Sequence, residues 1–389
     1  MVYVVHLTDE VTKSFLSQKR ATYRNMFTGE LGRSVFGATV FTFVFALGVP
    51  WIGSTIFYIL GLNYGCCTST IAFFATCFLA LLIFAVFPRG RLNPKDKAVL
   101  ITGCDSGFGP LLAKQLHALG MHVFAGCLLK DKGGEGAKHL MKIQSSRFHV
   151  LQLDVTNDSE IKMAVQYIGM HIPPNQDGLW GIVNNAGASA FGEIEWSSID
   201  LYKKVAEVNL WGVIRCTQAC LPLIRRAKGR VVNMASGFGR MIAGSRSVYG
   251  ITKWAVEGFS DCLRYEMRRW GVKVSIIEPG NYIAGTSIFT EDGVKKLGDS
   301  MWEKMPDNVK EDYGKKLFDL RVAEMQTYCS KGMDDLRPVL NAYEDALLSR
   351  IPLIRYQPME AYWTIRSFVF THFPSFIADY LYIYRKAKK

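Results

Sequence analysis

From Ser34 to Pro88 the chain carries no Asp, Glu, Lys or Arg. A charge-free stretch of this length cannot supply the surface of a water-soluble body. It is long enough for two membrane crossings, each needing about 20 apolar residues for a hydrocarbon core about 30 Å thick. The reading is a two-span transmembrane hairpin over 34–88, with spans at 35–60 and 68–87 joined by the turn-like sequence LNYGCC. A pair of helices buried in a globular core is the other fold open to it. Lys13, Lys19, Arg20, Arg24 and Arg33 precede the stretch, and Arg89, Arg91, Lys95 and Lys97 follow it. The positive-inside rule then places both ends on the cytosolic or matrix side, as two crossings require. A cleaved signal peptide would be shorter and nearer the start. The polar segment 1–33, which contains Asp9, Glu10 and Glu30, is unlike an acid-poor transit peptide. The expected location is the mitochondrial inner membrane or the endoplasmic reticulum.

The remaining residues are those of a folded body, since 49% hydrophobic and 13% aromatic content exclude a disordered chain. The formal net charge of +12 is spread rather than gathered into an Arg-rich stripe, which argues against nucleic acid and leaves a membrane surface as the partner for the excess. The nine cysteines form no CxxC pair, so reduced thiols are expected rather than a disulfide framework. The seven histidines are isolated and no metal site is expected.

After RLNPKD come six short apolar runs, KAVLITG, MHVFAGCLL, RFHVLQLDV, GLWGIVNNAG, GRVVNMAS and VKVSIIEPG, separated by stretches with helical spacing. Strand and helix in alternation predict an α/β body, a doubly wound parallel sheet of the Rossmann kind, with ligands at the carboxyl ends of its strands. The first run enters TGCDSGFG, with Gly103, Gly107 and Gly109. Glycine lets the backbone turn tightly and approach a pyrophosphate, and the helix that follows offers free amides and the positive end of its dipole. Further on, Tyr249 and Lys253 in SVYGITKWAVEGFSD stand one helical turn apart on one face. A cation near a phenol favours its ionised form, which suits a proton carrier. A packed tyrosine with a solvated lysine is the plainer alternative on spacing alone.

TGxxxGxG, then NNAG at 184–187, Ser236, and YGITK at 249–253, in that order and spacing, resemble the short-chain dehydrogenase/reductase family over about residues 96–375. The wording of AEVNLWG, LPLIRRAKGRVVN, FSDCLRYEM and VKVSIIEPGN is similar to the D-beta-hydroxybutyrate dehydrogenase branch, beside the retinol and hydroxysteroid dehydrogenases. The N-terminal hairpin departs from that branch. The resemblance implies an oxidoreductase that moves hydride between NAD and a secondary alcohol or ketone. Tyr249 would be the acid/base, and Lys253 would lower the phenol's pKa and hold the nicotinamide ribose. Ser236 would bond the reacting oxygen, and Asn209 would support a water path to the lysine. Gly103, Asp105, Ser106, Gly107, Phe108 and Gly109 would form the pyrophosphate turn, with Asp154 at the adenine amino group and Asn185, Ala186 and Gly187 walling the adenosine. Pro279, Gly280, Ile283 and Thr286 would pass the nicotinamide.

NAD is expected over NADP, because Asp105 would repel a 2′-phosphate, while Lys130 leaves NADP open and Cys127 stands where NAD enzymes often carry an acid. Between Ser236 and Tyr249, Arg240 and Arg246 could bind the carboxylate of a short hydroxy acid, with (R)-3-hydroxybutyrate/acetoacetate as the first substrate reading. A lipophilic steroid or retinoid alcohol drawn from the bilayer is the alternative, and a dinucleotide-binding membrane module without turnover the lesser one. The catalytic domain is expected over 96–340 with a helical lid at about 285–335. An aromatic, basic extension over 341–389 would either pack on the body or sit among lipid headgroups. A homo-oligomer is a further expectation from the resemblance.

Overall fold

In the computed structural model β1 (Ala98–Thr102), β2 (His122–Cys127), β3 (Phe148–Gln152), β4 (Gly181–Asn184), β5 (Arg230–Met234) and β6 (Lys273–Ile277) form where the six apolar runs lie. Residues 90–286 and 288–384 are described; the expected hairpin and the segment 1–33 lie outside them. Among the described residues no helix is long and apolar enough to cross a membrane.

The strands pair in parallel in the order β3-β2-β1-β4-β5-β6-β7. Both faces of the sheet are covered, so strands such as Ala98–Thr102 and Arg230–Met234 are buried at every position. This is why they read as continuous apolar runs rather than alternating ones. One face packs on α1 (Phe108–Ala118), α2 (Glu135–Met141) and α9 (Arg337–Leu348) through Leu112, Leu116, Leu140, Tyr343 and Leu347. The other packs on α3 (Asp158–His171), α5 (Val213–Ala227) and α6 (Ser247–Met267) through Ile161, Ile168, Cys220, Leu263 and Met267. The chain steps outward from β1 to β3 and returns to place β4 on the other side of β1, so a crevice opens at that reversal.

Between α3 and α5, α4 (Ile199–Ala206) runs into a π-helical turn at Glu207–Gly212, which widens the helix where Asn209 sits. After β6, α7 (Glu291–Lys304) and α8 (Asp307–Tyr328) form a separate apolar cluster around Phe191, Trp196, Met301 and Phe318. These helices occupy the segment expected to be a lid.

The boundary expected at 340/341 falls inside α9, whose Tyr343, Leu347 and Leu348 are fully buried in the core. Beyond it β7 (Arg355–Tyr356) adds a seventh strand, with Ile276 N donating to Ile354 O and Glu278 N to Tyr356 O, each at 2.8 Å. Two residues carry no periodicity, so nothing in the sequence announces this strand. The sheet therefore continues through β7. α10 (Ala361–His372) and α11 (Ser375–Asp379) follow. Arg366 and Ser367 of α10 are buried, while Ile365, Phe368 and Phe376 remain exposed.

Candidate active site

β1 ends in a turn that only glycine can make. Gly103 has φ +70° and Gly107 φ +67°, in the left-handed region that L side chains avoid. A Cβ at Gly103 would lie 2.7 Å from Ala186 Cα, and one at Gly109 would lie 2.2 Å from the Gly103 oxygen. No side chain caps the first turn of α1, so its amides are left for a ligand. They border a cavity of about 530 Å³. An anionic pyrophosphate suits these donors and the helix dipole, and the Gly-only turn leaves the close approach it needs. The residues present fit a dinucleotide.

Of the expected cofactor residues, Gly103, Asp105, Ser106, Gly107, Phe108 and Asp154 line the cavity at one end. Asn185, Ala186 and Gly187 line its floor, and Pro279, Gly280, Ile283 and Thr286 also line it, with Thr286 beside Gly107. Gly109 is not in the lining and serves the turn's closure instead. Asp105 spans to the end of β2: its Oδ2 accepts from Leu128 N at 2.7 Å and its Oδ1 from Leu129 N at 3.0 Å. A carboxylate thus reaches the position beside Cys127 from the Gly-rich turn. Lys130 does not line the cavity and lies 3.7 Å from Asp131. Thr286 Oγ1 donates to Tyr282 O at 2.9 Å, which fixes the loop over Gly107.

The floor is held by residues the sequence did not single out. Thr102 Oγ1 accepts from Asn185 N and Ala186 N at 3.1 and 3.0 Å. Asn185 Nδ2 donates to the oxygens of Thr102 and Gly103, both at 3.0 Å, and its Oδ1 accepts from Tyr343 Oη at 3.1 Å. Tyr343 comes from α9, more than 150 positions away, and nothing local signals that partnership.

Ser236, at the end of β5, and Tyr249 and Lys253, on α6, line the same cavity. Ser236 Oγ accepts from Phe238 N at 3.2 Å. Lys253 is buried and its Nζ donates to Met234 O at 2.8 Å. Burial pushes the ammonium down to about 8, against the opposing pull of Glu257. Burial also pushes the Tyr249 phenol up to about 12, and the groups that pull it back are Ser236 and Arg246. The lysine's donor is turned to Met234, and for the phenol desolvation outweighs the pull of Ser236 and Arg246. Asn209 lies behind the cavity rather than in its lining. Its side chain clasps Ala188, accepting from its N and donating to its O at 2.8 Å each, and donates to Thr252 Oγ1 at 3.0 Å. Thr252 in turn donates to Tyr249 O at 2.7 Å.

The two candidate substrate arginines part company. Arg240 is outside the cavity lining, and Arg246 is in it. The Arg246 guanidinium sits between the rings of Phe289 and Tyr328, 5.3 and 5.6 Å from their centroids, with a nitrogen 3.0 Å from Met325 Sδ. Among the described residues no carboxylate pairs with it, and burial lowers its pKa. Helix α8 supplies Met325 and Tyr328, a long-range contribution that spacing could not reveal. Phe238, Met241, Ile288, Phe289 and Trp363 complete an apolar wall on this side.

A parallel sheet with a Gly-only turn at its reversal, joined to serine, tyrosine and lysine in one crevice, defines a dinucleotide-dependent oxidoreductase. The chain belongs to the short-chain dehydrogenase family, whose profile, described as short chain dehydrogenase, matches residues 97–293. It is 53% identical over 288 residues to the mitochondrial D-beta-hydroxybutyrate dehydrogenase of Rattus norvegicus, covering 74% of this chain and 84% of that enzyme. It is 41% identical to human short-chain dehydrogenase/reductase family 9C member 7, over 68% of this chain and 82% of that one. It is also 41% identical to retinol dehydrogenase 7 of Rattus norvegicus, over 73% and 87%. In fold it is similar to a Burkholderia phymatum short-chain dehydrogenase/reductase solved in complex with NAD, with a TM-score of 0.53 at 20% identity over 76% of this chain and 95% of that one.

Proposed function

We propose that the protein is a membrane-anchored, NAD-linked dehydrogenase that interconverts (R)-3-hydroxybutyrate and acetoacetate. The observation that carries the substrate is Arg246, a guanidinium with no carboxylate partner among the described residues, lining the same cavity as Tyr249. A short hydroxy acid brings the missing anion, and Arg can take it through two parallel N–H···O bonds strengthened by the aromatic surroundings. The relatives named D-beta-hydroxybutyrate dehydrogenase support this reading.

Tyr249 takes the alcohol's proton at its Oη, and Ser236 holds the reacting oxygen by its hydroxyl. Lys253 supplies a positive charge near the phenol and a donor for the ribose, while Asn209 ties α6 to the loop at Ala188 for a water path. A bound nicotinamide supplies the hydride acceptor and, when oxidised, a further positive charge in the cleft that favours the phenolate. Gly103, Ser106, Gly107 and Phe108 hold the pyrophosphate, Asp154 receives the adenine amino group, and Asn185 to Gly187 and Pro279 to Thr286 flank the rest. NAD is favoured over NADP because the Asp105 carboxylate, fixed by Leu128 and Leu129, lies on the adenosine side, where a 2′-phosphate would meet it. The helices α7 and α8 act as the lid that excludes water.

A lipophilic steroid or retinoid alcohol is the second reading, favoured by the apolar wall of Phe238, Met241, Ile288 and Trp363 and by likeness to retinol dehydrogenase 7. The charge-free stretch supports two membrane spans in the inner mitochondrial or reticular membrane, with the body on the matrix or cytosolic side. Ile251 and Trp254, 53% and 49% exposed on the outer face of α6, support a homo-oligomer.

The test is turnover by the purified full-length protein in detergent, offered (R)-3-hydroxybutyrate, retinol or a hydroxysteroid with NAD, read as absorbance of the reduced cofactor. Hydroxybutyrate oxidation is expected, with a fall of about 10²- to 10⁴-fold in Tyr249→Phe. Turnover of the lipid alcohols with hydroxybutyrate ignored would overturn the reading.

A further inference from the structure

Behind the crevice lies a buried cluster of charge that the reaction as derived does not use. Tyr249, Lys253, Glu257 and Asp261 succeed one another turn by turn on one face of α6. Glu257 and Lys253 are 5% and 3% exposed, and Glu278, directly after β6, is fully buried. Arg355 of β7 faces all three carboxylates. Its Nε donates to Glu257 Oε2 at 3.0 Å and lies 3.1 Å from Glu278 Oε1, and its terminal nitrogen donates to Asp261 Oδ2 at 2.6 Å. Gln357 Nε2 donates to Glu278 Oε2 at 2.7 Å, and Arg264 pairs with Asp261 at 3.1 Å.

One donor is missing from this arrangement. Among the described residues Glu257 Oε1 and Glu278 Oε1 are both buried without a hydrogen-bond partner, and the two carboxyls converge on the same Arg355 Nε, at 3.0 and 3.1 Å. A proton on one of them supplies the bond both lack. Arg264 is taken up by Asp261 at the outer end of the cluster, so the buried pair Glu257 and Glu278 shares one guanidinium, Arg355, and a single proton removes the pair's excess negative charge. Two adjacent buried carboxyls cannot both ionise cheaply.

We propose that the Glu257–Glu278 pair holds one exchangeable proton and is the titrating counter-ion of Lys253, which makes Glu257 a positioning residue for the reaction. Burial, then the Glu278 carboxylate, pushes Glu257 up to about 8, the range in which Lys253 also titrates. When the pair releases its proton, a negative charge appears one turn from Lys253 and raises that ammonium's hold on its own proton. Lys253 stays charged further into the alkaline range, where removing a proton from an alcohol is easiest. This rests on the proposed role of Lys253; the state of the carboxyl pair does not.

Two measurements test it. In Glu257→Gln, which mimics the protonated acid, turnover at pH 7 should stay within about twofold, while the alkaline limb of kcat should move down by about one pH unit, because no charge develops to hold the ammonium. In Glu278→Gln, Glu257 ionises more readily, so the limb should stay in place or move up. A purely structural role would lower turnover at every pH without moving the limb. Independently of activity, infrared spectra of the wild-type protein should show the carbonyl stretch of a buried carboxylic acid that disappears through pH 8 and is absent from Glu257→Gln. Superimposable pH profiles, or no titrating acid in the wild-type spectrum, would overturn the proposal, and a silent substrate screen with the acid present would count against the substrate reading alone.

Discussion

Asp105 joins two structural facts in one side chain. Its carboxylate caps the amides of Leu128 and Leu129 and thereby orders the loop after β2. Replacing it with serine removes two charge-assisted bonds and the charge itself, so Asp105→Ser should raise KM for NAD and narrow the preference over NADP by about tenfold, measured as a ratio of kcat/KM values. Glu257 and Lys253 predict an unusual dependence of stability on pH. The fold raises Glu257 from 4.5 to about 8 and lowers Lys253 from 10.5 to about 8. Between 4.5 and 8 the folded chain holds the extra proton, so that contribution is full at low pH and lost as pH climbs through 8. Between 8 and 10.5 the unfolded chain holds the extra proton, so stability is regained. Tm followed by fluorimetry should pass through a minimum near pH 8, and Glu257→Gln should erase the descending side. Most of the crevice was legible residue by residue because its motifs are local: TGCDSGFG, NNAG and YGITK each occupy one turn or strand end. Thr102, Tyr343 and the rings around Arg246 were not, because their partners arrive from distant segments, and the same reason separates Arg246 from Arg240.

At the scale of elements, the helices differ in how well spacing foretells them. α1 was legible from its apolar face and from Gly120, whose φ of +92° lets the chain turn after it. The π-helical turn at Glu207–Gly212 was not, since one extra residue in a turn leaves the composition unchanged. α8 is broken at Gly314, where φ +71° and ψ 148° fall in a region open almost only to glycine. A Cβ there would meet nothing within 4 Å, so a substitution tests the backbone alone. Gly314→Ala should cost about 1–3 kcal/mol of stability. If α8 is the lid, it should also raise KM for the hydroxy acid, because Met325 and Tyr328 lie beyond the break.

For the molecule as a whole, the doubly wound sheet was legible as six continuous apolar runs, a pattern that burial on both faces imposes. The proposed hairpin predicts that the full-length protein stays with membranes through alkaline carbonate extraction, whereas release into the supernatant would remove the anchor from the proposal. The seventh strand has the widest reach. β6 and β7 are neighbours, yet α7, α8, the rings of Phe289 and Tyr328 that flank Arg246, and α9 all intervene between them along the chain. The chain thus leaves the sheet at β6 and rejoins it beside its point of departure, so a lineage could exchange α7 and α8 for tailoring that suits a different alcohol while Glu278 and Arg355, at the two stitched ends, stay where they are.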